Sequence, residues 1–585
     1  MLTVVVPVYN VSSYVDECLA SLAGQTLRDI EIVVVDDGST DDSPARVAAW
    51  AARDPRITVV TQRNAGLGAA RNTGAARGTR PYLAFVDADD ILPEYAFEVL
   101  VGALERTGSD FASGDVRLLG ADGLTPSPLH RGTHRVTRLG AVPREHRYLL
   151  YDRLACNKVF RRRFWDGTEF PAGVHYEDIP VTIPAYGRAA AVDVLALPVY
   201  YWRQRPAGDK SISQRLAEQK NLEDRFAAVA TARAALDPEL ATWYAETALQ
   251  SDLRLVLEVL PEADDAYRER FLKLASDFLA DVDPAVLTRL PSRLAAAWRL
   301  TAAGDLAGVV ATVTATRGPV TGMAAWRDPA PPETVLTGAE WAGGRLHLRT
   351  AGAPSPIGLI WLRERPAGGT AAADADRRAV VLGARGRGGR MGAVLRPDRL
   401  RGPDGWRPGE WTANVAPAQG ASRALLKVRD RDLPLAAAWV DDSVRLVPVV
   451  RSGVLRLRVE RPATVATAVD RDGDTLVVTL AGTAGGRLVL ERTPGLPFAA
   501  YPVDSGGDGA TARIPLADLT AATRTRPPIP GEPPPTWRVA LASGDGPAEP
   551  LVAGPALTAT RLGPVEVDAD PAGHLTLSAT QALSR

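Results

Sequence analysis

Tyr82-Leu83-Ala84-Phe85-Val86-Asp87-Ala88-Asp89-Asp90 is a short apolar run that ends abruptly in three carboxylates. The run reads as a buried β-strand, because it is continuous, brief, and aromatic or β-branched near its end. Residues two apart on an extended chain point the same way, roughly 7 Å apart. Asp87 and Asp89 are therefore expected to converge on one object at the strand's carboxyl end. A divalent cation bridging to a diphosphate suits that place, since hard cations take oxygen ligands and keep sites for phosphate. Taken alone, an Asp-x-Asp is also what a surface acid cluster produces, so its surroundings decide.

The surroundings repeat the pattern. Leu2-Thr-Val-Val-Val-Pro7-Val-Tyr9-Asn10 is another apolar strand ending in polar residues. A helix is expected from Ser12 to Leu22, with Val15, Leu19 and Leu22 on one face and Gly24 closing it. Ile30 to Val35 runs straight into Asp36-Asp37-Gly38-Ser39-Thr40-Asp41, and Ile57 to Thr61 precedes Asn64-Ala-Gly66-Leu-Gly68-Ala-Ala-Arg71-Asn72-Thr-Gly74. Strands alternating with helices imply a parallel sheet covered by helices, in which ligands bind outside the carboxyl ends of the strands. All four polar clusters lie at such ends. Gly66-Leu-Gly68-Ala-Ala-Arg71 imitates part of a dinucleotide fingerprint, but it follows the third strand and lacks the third Gly or Ala.

In order and spacing, these segments resemble the family 2 glycosyltransferases, whose catalytic domain has the nucleotide-sugar-binding, Rossmann-like GT-A fold. The resemblance rests on Val4-Val-Val-Pro7-Val-Tyr9-Asn10, Asp36 to Asp41, Asn64-Ala-Gly66 with Ala70-Arg71-Asn72, and Phe85 to Asp90. It implies a nucleotide diphosphate sugar held by Pro7, Tyr9, Asp36, Asp37, Asn64 and Arg71. Asp87 is then near ribose or diphosphate, and Asp89 is on Mn²⁺ or Mg²⁺. Carboxylate and amide suit the edges of uracil or ribose, and an arginine offsets diphosphate charge.

A second constellation lies downstream. Cys156-Asn157-Lys158-Val-Phe-Arg161-Arg162 precedes Phe170-Pro171-Ala-Gly-Val-His175-Tyr176-Glu177-Asp178. The following Ile179-Pro180-Val-Thr-Ile-Pro184-Ala-Tyr186 reads as a helix with proline in its first turn. Glu177 and Asp178 then stand at a loop-to-helix junction, where an aspartate also serves as an ordinary helix cap. On the family resemblance they are the acceptor-side acid pair, and Asp178 aligns with the catalytic base. A helix N-terminus favours the ionised carboxylate, so Asp178 is expected to be charged and a weak base at equilibrium, helped by closeness to the hydroxyl.

Tyr200-Tyr-Trp202-Arg203-Gln-Arg205-Pro-Ala-Gly-Asp-Lys210-Ser211 sets cations beside aromatics and a glycine turn. It reads either as a solvated loop or as a flap whose Arg205 and Lys210 close on a diphosphate and exclude water. Cys18 and Cys156, the two cysteines of the chain, read as unpaired core residues of a reducing compartment.

Composition bounds the rest. At 585 residues the chain is too long for one core. A net charge of −1 with 23% charged residues argues against a nucleic-acid or polybasic membrane binder. No apolar stretch reaches the length of a membrane span, and Pro7, Tyr9 and Asn10 interrupt the opening run, so a secretory signal is not expected. The expected setting is cytoplasmic, with the inner face of the membrane as a candidate station.

The expected catalytic domain covers residues 1–215. Residues 216–328 are rich in Ala, Leu, Glu and Arg at helical spacing and read as a helical linker region without visible chemistry. Beyond Pro329 short alternating runs separated by Gly, Pro and Asp suggest two β-sandwich domains, 329–450 and 451–585. Trp411 to Ala416 and Trp537 to Ala542 are among the segments that parallel each other between them. This order resembles the poly(ribitol-phosphate) β-N-acetylglucosaminyltransferases of wall teichoic acid. That resemblance implies immunoglobulin-like sandwiches assembling a homo-oligomer, a trimer in that family, and an inverting, metal-dependent transferase. A UDP-sugar, with GlcNAc as candidate, is the implied donor, and a polymeric glycan or polyol phosphate the implied acceptor. The chain departs from that family at Ala155-Cys156-Asn157, and nothing in the donor motifs is diagnostic of an N-acetyl group.

Three alternatives stand beside this reading. One is a transferase for capsular or exopolysaccharide. Another is a sugar-phosphate nucleotidyltransferase, whose Gly-rich basic loop after the first strand is missing. The third is a non-catalytic glycan-binding scaffold, with Trp341, Trp361, Trp406, Trp411, Trp439 and Trp537 as stacking platforms.

Overall fold

The computed structural model describes residues 1–130, 132–206, 215–317, 325–326, 334–352, 357–365, 379–387, 390–402, 405–417, 424–428, 433, 435–482, 485–493, 496–506, 509–520, 529–543 and 547–579. Lys210 of the expected flap lies outside the described residues. The chain divides into two compact units, one of residues 1–328 with 524–533 and one of 329–523 with 534–585.

The first unit is built on parallel strands β1 (Leu2–Val8), β2 (Ile30–Asp36), β3 (Ile57–Thr61) and β4 (Tyr82–Phe85), ordered β3-β2-β1-β4. Helices α1 (Val15–Ala23), α2 (Ser43–Ala51) and α3 (Leu67–Arg77) alternate with them. After α4 (Ala96–Thr107) come β5 (Phe111–Gly120), β6 (Gly123–Pro126), β7 (Arg138–Ala141), β8 (Lys158–Arg161), α5 (Arg162–Trp165), α6 (Ile179–Arg188) and β9 (Val192–Arg203). The sheet continues β4-β8-β5-β9-β7, with β8 antiparallel to both neighbours. Every residue of β1 is buried, as in a parallel strand covered on both faces.

In-register pairing of β1 with β2 and β4 brings the ends of these strands side by side. Helix α3 packs closely here. A Cβ at Gly74 would lie 2.2 Å from Val5 Cγ1, and one at Gly68 would lie 2.2 Å from the Pro171 carbonyl oxygen. The close approach at Gly68 and the left-handed backbone of Gly66, at φ +90, account for the glycine pair that imitates a dinucleotide fingerprint.

Between Gln219 and Ala315 the chain is helical, as expected, but it is no detached linker. Leu222, Phe226, Leu249, Phe271 and Trp298 share one apolar cluster with Phe85, Phe111, Phe160 and Trp165 of the α/β part. These helices pack on α6 and on the turn at residues 147–151, which join them to the core of the sheet, and Asn221 and Arg225 reach the loop before α6.

The second unit is all β, with two bodies that each have an apolar core. In the first, strands Val444–Arg451 and Val454–Glu460 hydrogen-bond into the sheet through Gly409–Pro417, so the sheet ends at Glu460 and not at 450. In the second, strand Leu496–Gly506 pairs first with Arg487–Thr493 and then with Gly509–Pro515, passing from one layer to the other as sandwich strands do. Trp411 and Trp537 are fully buried core residues, so the stacking-platform reading fails for these two.

Candidate active site

The acidic run differs from its sequence reading in one respect that matters. Strand β4 stops at Phe85, and Asp87 to Asp90 form a turn closed by the Asp90 N–H on the Asp87 carbonyl oxygen at 3.0 Å. A turn breaks the two-residue alternation, and the three carboxylates take different partners. Asp87 Oδ1 accepts from Arg71 Nη2 at 2.6 Å. Asp89 Oδ2 accepts from Arg205 Nε at 2.8 Å, with Nη2 also at 2.8 Å. Asp90 is buried and turns inward, where its oxygens accept from the Tyr200 hydroxyl at 2.6 Å and the Arg203 N–H at 2.7 Å. Burial raises the Asp90 pKa well above the carboxylate range, with Asp89 and Asp87 adding to it. Its part is to tie the turn to β9, and only its place in the acid triplet could have hinted at that.

The other donor-side candidates line the same edge. Pro7 is buried in β1, and Tyr9 just beyond it is half exposed. Asp36 and Asp37 are buried. Asp36 Oδ1 accepts from the Ser39 N–H at 3.0 Å. Asp37 Oδ1 accepts from Gln62 Nε2 at 2.7 Å and the Ala65 N–H at 2.9 Å, while Oδ2 accepts from the Gly66 N–H at 2.9 Å. Three bonds leave little acceptor capacity on Asp37 for a ligand, and its role in this state is to fold the loop that carries Asn64. Asn64 itself is exposed at that edge.

Arg71 does not face solvent. Its side chain is 3% exposed and bridges the two acid groups, with Nη1 on Glu177 Oε1 at 2.6 Å and Nη2 on Asp87. The guanidinium also lies over the Phe170 ring, 5.1 Å from its centroid. The residue expected to offset diphosphate charge is thus committed to the connection between the β4 turn and the acid pair.

Asp178 begins α6 but makes no side-chain cap bond, which removes the plain capping reading. Among the described residues no hydrogen bond to its carboxylate is found. Tyr176, two residues before, is held at φ +60, a left-handed conformation that costs a non-glycine residue energy. Its hydroxyl donates to Asn221 Oδ1 at 2.6 Å, and Arg225 lies over its ring at 4.0 Å. The helical region therefore holds the loop that presents the acid pair.

Behind α6 sits a buried polar knot. Asp152 accepts from Tyr186 at 2.9 Å and Asn157 at 3.1 Å, and pairs with Lys158 at 2.8 Å. It fastens α6 to β8, and sequence reading found Asn157 and Lys158 but not their partner.

Burial raises the Asp178 pKa to about 6, against the opposing pull of Arg71, Arg153 and Lys158. Burial also raises Glu177, to about 7, against Arg71 and with help from Asp178. The expectation of a weak base is corrected here, because loss of water outweighs the helix terminus. Asp178 remains ionised at neutral pH and is a better proton acceptor than an exposed aspartate.

Among the described residues no cluster of three or more metal-binding side chains is found. The donor set still fits a substrate-completed cation. Asp89 offers one hard carboxylate at 18% exposure, and Mg²⁺-type sites are held by one or two carboxylates plus phosphate oxygens. Arg205 now occupies the carboxylate that such an ion would use.

Residues 3–167 match the family described as Glycosyl transferase family 2. The chain is 32% identical over 239 residues to the uncharacterized glycosyltransferase EpsJ of Bacillus subtilis, covering 39% of this chain and 68% of that protein. It is 45% identical over 114 residues to the glycosyltransferase GlyA of Streptococcus pneumoniae, which is 20% of this chain and 16% of that one. In fold it is similar to the crystal structure of S. aureus TarS, with a TM-score of 0.50 at 14% identity, over 88% of this chain and 95% of that chain.

Proposed function

The chain belongs to the family 2 glycosyltransferases, and on that premise we propose that it moves a sugar from a UDP-sugar to a cell-envelope polymer with inversion at the anomeric carbon. The observation that carries this reading is Asp178. It is an uncommitted carboxylate with a raised pKa, joined through Glu177 and Arg71 to the acidic turn at the end of β4.

In this reading Asp178 takes the proton from an acceptor hydroxyl. The hydroxyl oxygen bonds to the anomeric carbon, and the bond from that carbon to the diphosphate oxygen breaks, so the electron pair leaves with UDP. One displacement inverts the centre and needs no enzyme nucleophile. Glu177 holds Arg71, and Arg71 holds Asp87 at the donor end. Arg205 exchanges its carboxylate partner for the donor's diphosphate as the site fills. A divalent cation on Asp89 would supply Lewis-acid stabilisation of the departing nucleotide.

For the acceptor, a teichoic-acid-like polyol phosphate is supported by the resemblance of the whole order of catalytic part, helices and tandem β bodies. GlcNAc is the candidate sugar on the same ground. Among the described residues no helix is long and apolar enough to cross a membrane.

The donor end is tested by calorimetric titration of UDP with and without Mn²⁺ on the wild type and on Asp89→Ala. The wild type is expected to bind UDP more tightly with Mn²⁺, and the variant to lose that gain. An equal Mn²⁺ enhancement in both proteins contradicts the assignment.

A further inference from the structure

We propose that Ile529-Pro530-Gly531-Glu532, far along the chain, is a positioning element of the donor site. The proposal rests on the reading of the Asp87–Asp90 turn as the donor end. Residues 524–533 belong to the same compact unit as residues 1–328. Ile529, like Leu124, packs against the buried cluster of Ile91, Leu119 and Tyr201. The Leu124 N–H donates to the Pro530 carbonyl oxygen at 2.9 Å, extending the β5–β6 hairpin by one bond. The Tyr201 hydroxyl donates to Glu532 Oε1 at 3.0 Å. The other oxygen of Glu532 accepts the Ile529 N–H at 3.0 Å, so the segment is closed on itself before it meets the sheet.

Its seat has a local requirement. Gly123 has φ +107, and a Cβ there would lie 2.2 Å from the Pro530 carbonyl oxygen. A side chain at 123 and the docked segment exclude each other.

What the segment grips is one step from the acidic turn. Tyr201 and Ile91 exchange both backbone bonds, at 2.8 and 3.3 Å. On one side of Tyr201, Tyr200 donates to Asp90; on the other, the Arg203 N–H donates to Asp90 and Arg203 Nε to the Asp89 carbonyl oxygen at 2.7 Å. Fixing Tyr201 therefore fixes Asp89, Asp90 and the run that carries Arg205. Glu532 touches no substrate in this account; it acts through Tyr201.

The test uses the full chain as wild type, Glu532→Ala, Glu532→Gln and Tyr201→Phe, with hydrogen exchange of peptides spanning 87–91 and 200–204 and a UDP titration. Glu532→Ala and Tyr201→Phe are each expected to speed exchange in both peptides and to weaken UDP by about 5- to 10-fold, the factor one hydrogen bond is worth. Glu532→Gln has one acceptor oxygen for the two donors, Tyr201 and the Ile529 N–H, and is expected to restore only part of both. Exchange within twofold of wild type in Glu532→Ala overturns the proposal. So does Tyr201→Phe matching wild type in both exchange and UDP affinity, since the hydroxyl would then transmit nothing. Failure of the wild type to bind UDP would instead defeat the donor reading and leave the exchange result standing.

Discussion

Asp178→Asn is expected to lower turnover by about 100-fold or more, the scale for loss of a general base, while UDP affinity stays within a factor of about two. The amide keeps the shape of the side chain but cannot take the acceptor's proton. Nucleotide affinity is spared because Asp178 touches neither the Asp37–Asn64 loop nor the acidic turn through any hydrogen bond. A pH signature is expected of the wild type. As the proposed base, Asp178 acts only when deprotonated, so turnover is expected to rise as pH passes through about 6 and to level above it. The asparagine variant is expected to lose that rise. Steady-state rates across pH check both statements. Turnover of the variant within a few-fold of wild type would pass the role to Glu177 or to water.

Arg71→Ala has the next largest expected effect, and it appears as stability before activity. Removing one member of a buried ion pair costs about 3–5 kcal/mol, because the partner charge is left unpaired out of water. Glu177, 6% exposed with its pKa already raised to about 7, takes up a proton at neutral pH once Arg71 is gone, and Asp87 at 29% is partly relieved by solvent. The lower end, about 3 kcal/mol, is therefore expected, lowering the first thermal transition by on the order of 5–10 °C. Nucleotide binding falls with it, since Asp87 loses its anchor. Arg71→Lys restores charge but not the fork that reaches two carboxylates, so only part of the loss returns. An unchanged thermal midpoint in Arg71→Ala would mean that the bridge is not formed in solution.

The parallel half of the fold was legible because β1, β2 and β4 are almost wholly buried and therefore mainly apolar, with Thr3 and Glu31 as the polar exceptions within them, and each leads into a polar cluster. The parts that escaped depend on partners remote in sequence. Alternation places Asp87 and Asp89 together only if the strand continues, and it ends at Phe85. Arg71 matches a donor-binding motif, yet which anion it meets depends on Glu177, 106 residues away. The basicity of Asp178 depends on burial by a loop that Asn221 and Arg225 hold from a region whose composition shows only helix. Asp152 has no motif of its own, and Glu532 lies in a proline-rich stretch that reads as an extended loop. Local pattern thus carried the strands and the candidate list, while pairings across the chain decided what each candidate does.

Release of UDP by the full chain, measured over a panel of UDP-sugars with and without Mn²⁺, is the direct test of sugar transfer from a UDP-sugar. Cation-dependent release is expected with at least one donor, strongly reduced in Asp178→Asn when acceptor polymer is present. No release from any donor, or release equal in the presence of EDTA and in the Asp178→Asn variant, would contradict it.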